Sequence, residues 1–133
     1  MERKVAYYET DRMGIVHHSN YIRYMEEARL SWLEQHGLAY DNLESIGIML
    51  PVISVNAEYI KPLKFGDTFN ITTKLIKLSN VKIKLSYEVR NSGTGELCAT
   101  GESVHCFVNN DFKPIAIRKT NPDIFQLFKS SLI

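Results

Sequence analysis

The sequence predicts an α+β fold in which one long helix packs against one curved antiparallel sheet of about five strands. Two observations predict it. From Tyr21 the apolar residues Tyr21, Tyr24, Met25, Ala28 and Trp32 recur at the spacing of one helical face. From Met49 onward the pattern changes to extended segments joined by short turns. A helix and a sheet each hide one apolar surface, and two layers satisfy both.

Lys4–Tyr8 reads as a short strand leading into a loop at Asp11. The helix that follows runs without Pro or Gly until Gly37, a C-terminal stop, and carries Arg23, Glu26, Glu27 and Glu34 away from its apolar face. At about sixteen residues it spans roughly 24 Å, enough to cross a sheet. Asp41–Ile46 predicts a second, short helix. Met49–Lys61 is extended, with Ile53, Val55, Ala57 and Tyr59 on one face, and stops at Lys61-Pro62. Gly66-Asp67 marks a turn, Thr68–Leu78 is the next strand, and Ser79-Asn80 turns again. In Val81–Arg90 the residues Val81, Ile83, Leu85, Tyr87 and Val89 alternate with polar ones, as in a strand with one wet face. NSGTG (91–95) is a hairpin turn into a last long strand, Glu96–Val108, whose small or apolar residues on both faces suggest a central place. The later strands are expected to be antiparallel neighbours. Asn121-Pro122-Asp123 caps an amphipathic tail through Phe125, Leu127 and Phe128. With no repeat, linker or low-complexity tract, residues 1–133 read as a single domain.

A net charge of +1 with 23% charged residues offers no field that would draw nucleic acid or a membrane surface. No apolar run approaches the ~20 residues of a membrane span. Cys98 and Cys106 lie eight apart on one predicted strand, about 26 Å, too far to bridge. Free thiols and an N-terminus without a signal-peptide core point to a reducing cytoplasm. One helix cannot cover both faces of such a sheet, so a homo-oligomer is expected.

The chemistry concentrates in Asp11–Tyr21, DRMGIVHHSNY, just ahead of a helix N-terminus whose free N–H groups favour negative charge. Asp11 is a candidate general base or nucleophile; the same spacing suits an Asp that caps a turn. Gly14 suits either a close backbone approach to a ligand or a turn with positive φ. His17 and His18, as neighbours in a loop or strand, are expected to point apart. Asn20 reads as a helix N-cap. Metal binding by Asp11, His17, His18, His36 and His105 is suggested by residue type alone, without ligand spacing, and no metal site is assigned.

DRMGIVHHSNY resembles the D-x-x-G-x-V-x-H-x-N-Y run of hotdog-fold acyl-CoA thioesterases of the 4-hydroxybenzoyl-CoA thioesterase group. Tyr59–Asp67, YIKPLKFGD, resembles that family's Y-x-x-P-x-x-x-G-D turn. The resemblance extends to the order of elements over nearly the whole chain, and the first motif is the more specific. It implies a hotdog fold, with the long helix wrapped by the sheet. It also implies hydrolysis of acyl-CoA to free acid and coenzyme A, with no metal or organic cofactor. Dimers joined sheet edge to sheet edge, or tetramers of two dimers, are implied as well. By the same resemblance Asp11 and His18 are catalytic, the His18 backbone N–H polarising the thioester carbonyl with its side chain near the leaving sulfur. Gly14, Val16, His17 and Tyr21 then bind substrate. Lys61, Lys64, Lys82 and Lys84 are available for coenzyme A phosphates, or are plain solvated lysines. Arg12, Met13 and His17 depart from the common pattern and bear on the size of the acyl pocket. Glu26 and Glu27 are second choices for the base, since a related hotdog group takes its carboxylate from the helix. Alternatives are an enoyl-thioester hydratase or dehydratase built on Asp11 and His18, and a non-catalytic acyl-CoA binding module.

Overall fold

A computed structural model describes residues 1–133. The predicted helical stripe forms α1, Ser19–Gln35, and Tyr21, Tyr24, Met25, Ala28 and Trp32 are all buried against the sheet. The helix stops at Gly37, where the Leu38 N–H reaches back to the Leu33 carbonyl at 2.8 Å. The strands are β1 (Glu2–Lys4), β2 (Val52–Tyr59), β3 (Thr68–Leu78), β4 (Lys82–Asn91) and β5 (Leu97–Cys106). They form one antiparallel sheet in the order β1-β3-β4-β5-β2. Three further helices complete the chain: α2 (Tyr40–Ser45), α3 (Ile117–Thr120) and α4 (Pro122–Ser131). This is the expected α+β layer arrangement. Ile83, Leu85, Tyr87 and Val89 of β4 meet α1 in the core, while Val81 stays exposed ahead of the strand.

Several expectations change. The strand expected over Lys4–Tyr8 ends at Lys4, and Tyr7–Glu9 turn into a 3-10 helix, because the Glu9 carboxylate accepts the Ala6 N–H at 2.8 Å. β2 does not pair with its successor β3. It lies beside β5, with Ala57 opposite Gly101, while the connection after Pro62 crosses the end of the sheet through the Leu63 carbonyl, which takes the Val16 N–H at 2.8 Å. β5 is interior as expected, although β4 holds the middle. In the tail, Asn121 precedes Pro122 at the start of α4 but its side chain makes no capping bond, and Leu127 is exposed.

Gly101 sets how closely helix, sheet and edge strand approach. A Cβ there would lie 2.3 Å from Met25 Cε and 2.6 Å from the Asn56 carbonyl oxygen. The Met tip can swing away; the backbone oxygen cannot without shifting β2. Gly101→Ala is expected to cost about 1–3 kcal/mol of stability by overpacking, read as a lower urea midpoint at unchanged m-value.

Candidate active site

Between the 3-10 turn and α1 the chain makes a tight hairpin. Thr10 bridges Val16, the Asp11 N–H donates to the Ile15 carbonyl at 2.9 Å, and the Gly14 N–H donates to the Asp11 carbonyl at 3.0 Å. Gly14 has φ +79°, a conformation an L side chain rarely adopts, which is why the tip closes here. Asp11 is half-buried, and its Oδ1 accepts the Met13 N–H at 2.8 Å. The turn-capping role is therefore real. It occupies one oxygen, and Oδ2 has no partner within the protein.

The hairpin delivers the chain to α1 through His17 and His18. The two rings do not point apart: they stack with centroids 4.2 Å apart, because the chain is already turning into the helix. His17 Nδ1 accepts the Ser19 N–H at 3.2 Å, and the His17 backbone N–H donates to the Glu9 carbonyl at 2.9 Å. His18 is the residue at the helix N-cap, the place expected for Asn20. Asn20 lies inside the first turn and donates Nδ2–H to the Glu9 carbonyl at 2.9 Å. The His18 N–H finds no acceptor in the protein, leaving a peptide donor at the positive end of a seventeen-residue helix.

Asp11, Met13, Ile15, Val16, His18 and Tyr21 share one cleft of about 360 Å³ with Tyr59, Ile60, Lys61 and Pro62 from the end of β2. Burial pushes the Tyr21 hydroxyl up to about 12, so it stays a neutral wall and donor at any working pH. Tyr59 closes the far side: its hydroxyl donates to the His18 carbonyl at 3.3 Å, and its ring meets that of Tyr21 edge-on at 5.2 Å. Sequence reasoning placed Tyr59 in a turn motif and gave it no task; its position at the head of that motif was the available signal.

Other candidates fall elsewhere. Gly14 and His17 shape the hairpin and are not part of the cleft wall. Lys61 lines the cleft but is ion-paired to Glu96. Lys82 pairs with Cys106, seven residues along β5 from the Ala99 that faces Tyr59, so it sits roughly 23 Å up the sheet from the cleft of its own chain. Lys84 is paired to Glu102 at 3.3 Å, and Lys64 is exposed beside Ile15. Glu27 is engaged by Arg3 at 3.0 Å, and Glu26 lines a separate cavity near Val52. Cys98 is buried and Cys106 half-buried.

Residues 5–122 match the model of the Thioesterase-like superfamily. The chain belongs to that superfamily. The match is coarser than the 4-hydroxybenzoyl-CoA group that the motifs resemble. Among Thioesterase-like relatives, YneP of Bacillus subtilis (strain 168), provisionally named an acyl-CoA thioesterase, is 38% identical over 123 residues, covering 92% of this chain and 88% of its own. A 1,4-dihydroxy-2-naphthoyl-CoA hydrolase of Prochlorococcus marinus (strain NATL2A) is 31% identical over 101 residues, covering 70% and 65%. The solved DHNA-CoA thioesterase of Staphylococcus aureus superposes with a TM-score of 0.91 at 31% identity, covering 98% of this chain and 87% of that one.

Proposed function

We propose that this member of the superfamily hydrolyses acyl-CoA thioesters to free acid and coenzyme A. The observation that carries the reading is one cleft lined by both Asp11, whose Oδ2 has no partner within the protein, and residue 18, whose N–H is unpaired at a helix N-terminus. A thioester carbonyl oxygen seated on that N–H would gain charge where the helix dipole favours it. Asp11 then removes a proton from water as the hydroxyl adds to the carbonyl carbon. The oxyanion collapses, the C–S bond breaks, and the thiolate of coenzyme A leaves and takes up a proton. In the second route Asp11 itself attacks, giving a mixed anhydride that water hydrolyses. Label found in Asp11 after a single turnover in ¹⁸O-labelled water marks the second route, since only an anhydride opened by water at the Asp11 carbonyl puts it there. Neither route calls on a cofactor; coenzyme A arrives as part of the substrate.

The test is a panel of aliphatic and aromatic acyl-CoA thioesters scored by release of free thiol. Release from at least one supports the reading. Loss of the enoyl absorbance of crotonyl-CoA without thiol release would replace it with hydration, and tight binding without turnover would replace it with a binding module.

Two of the relatives are named for an aromatic acyl group, 1,4-dihydroxy-2-naphthoyl, and the Tyr21 and Tyr59 rings with Met13, Ile15 and Val16 make an apolar wall for such a group. β2 is a sheet edge whose Val52, Ile53, Val55 and Tyr59 are 41 to 52% exposed. A long apolar edge is normally covered, and a second copy added edge to edge would cover it while bordering the cleft at Tyr59. Val55→Glu is expected to shift the protein from dimer, or from a tetramer of two dimers, to a smaller species in analytical ultracentrifugation and to lower activity. No helix is long and apolar enough to cross a membrane, and the free cysteines suit the cytoplasm.

A further inference from the structure

Two residues ahead of Asp11, Glu9 is a carboxylate only 4% exposed. Its Oε1 accepts from Arg3 Nη1–H at 2.7 Å and from the Ala6 N–H at 2.8 Å. Arg3 also donates Nε–H to Glu27 of α1 at 3.0 Å and lies over the Tyr24 ring, 4.7 Å from its centroid. The Tyr24 hydroxyl is the one buried side-chain polar atom without a partner in hydrogen-bond geometry. Burial first, and then the neighbouring Glu9 carboxylate, push its pKa above the usual tyrosine range. Burial also works against ionisation of Glu9, but the bonds from Arg3 and Ala6 outweigh it and hold the carboxyl below its ordinary value. The Glu9 carbonyl oxygen, for its part, accepts both the His17 N–H and Asn20 Nδ2–H, each at 2.9 Å. One residue thus joins β1 through its side chain to the hairpin base and α1 through its backbone.

We propose that Glu9 and Arg3 are positioning residues for thioester cleavage: their ion pair, buried on the Glu9 side, pins the hairpin base between β1 and α1 and so sets Asp11 against the His18 N–H. This rests on the hydrolytic reading of the cleft. Packing alone does not explain the pair, because apolar side chains of similar volume commonly match or exceed the stability of a buried ion pair. Direction does: the Arg3 fork reaches Glu9 and Glu27 at once, relating hairpin to helix at a fixed distance. A displacement of about 1 Å in a reacting group can cost on the order of 100-fold in rate.

Glu9→Gln keeps the size and still accepts the Ala6 N–H, but removes the charge facing Arg3. Its kcat per folded molecule is expected to fall roughly 10- to 100-fold with KM within about twofold. Without substrate, the NMR signals of the His18 amide and the Asp11 carboxyl carbon should shift. Combining Glu9→Gln with Arg3→Met removes the stranded charge, so the melting temperature should recover while kcat stays low. Recovery of kcat together with Tm would reduce the pair to a stabilising role and overturn the proposal. A folded Glu9→Gln protein with wild-type kcat, or with unmoved His18 and Asp11 signals, would overturn it as well. Wild-type protein inactive on every acyl thioester would remove the functional reading instead, and the resonance shifts would still decide whether the pair positions Asp11.

Discussion

Asp11→Asn is expected to lower kcat for thioester hydrolysis by roughly 10²- to 10⁴-fold, about 3–5 kcal/mol in the barrier. Asn is the informative replacement because it separates the turn bond of Asp11 from the catalytic role proposed for that residue. Its Oδ1 accepts the Met13 N–H at 2.8 Å and closes the hairpin, and an Asn oxygen accepts that bond equally well. What Asn lacks is a carboxylate able to take a proton or attack a carbonyl. If capping the turn were the whole role, the variant would keep its activity. The expected outcome is an unchanged melting curve with thiol release nearly abolished. Near-normal turnover by a folded Asp11→Asn protein would take Asp11 out of the chemistry and leave it a turn residue.

Acid is expected to weaken the fold through His105, which is fully buried. Its Nδ1 lies 3.2 Å from the Leu50 carbonyl, which can only accept, so Nδ1 carries the proton. Nε2 is then an acceptor for the Ser103 hydroxyl at 2.8 Å; Ser103 Oγ accepts from Tyr87 OH at 2.6 Å, and Tyr87 from Arg29 at 3.4 Å. Every donor in this chain points towards the imidazole, and a second proton on Nε2 has nowhere to go. Burial, helped by the charge of Arg29, pushes the His105 pKa down to about 4 against the pull of the Leu50 carbonyl. The unfolded chain takes up the proton near 6.5, so it binds more protons than the folded one between the two values. This contribution is complete above about pH 6.5 and is lost as the pH falls towards 4, on the order of 3 kcal/mol in all. Glu9, held below its ordinary value, adds a loss of the same sign at lower pH. Urea midpoints at pH 7.5 and 4.5 measure the difference. His105→Asn, starting from a lower stability, should show a flatter pH dependence; an equal acid loss in the variant would exonerate His105.

The buried stripe of α1, the limits of β3 and the alternation of β4 were legible in the sequence, because each is a local periodicity that a helix or a half-buried strand imposes on its own residues. The hairpin motif also marked the candidate residues, Asp11 and His18 among them, without showing how they meet. Partner choice is not local, so tertiary structure alone put β2 beside β5, left its apolar face on an open edge, and carried Tyr59 to the mouth of the cleft. It also separated Lys82 from that cleft by the length of a strand and stacked His17 on His18. Glu9 is the sharpest case. In the sequence it is one more charge before a loop, and only the approach of Arg3 from β1 and Tyr24 from α1 makes it a buried carboxylate. A chain encodes which face of each element seeks burial; which faces meet is decided when the elements pack, because burial and pairing energies depend on residues far apart in the sequence.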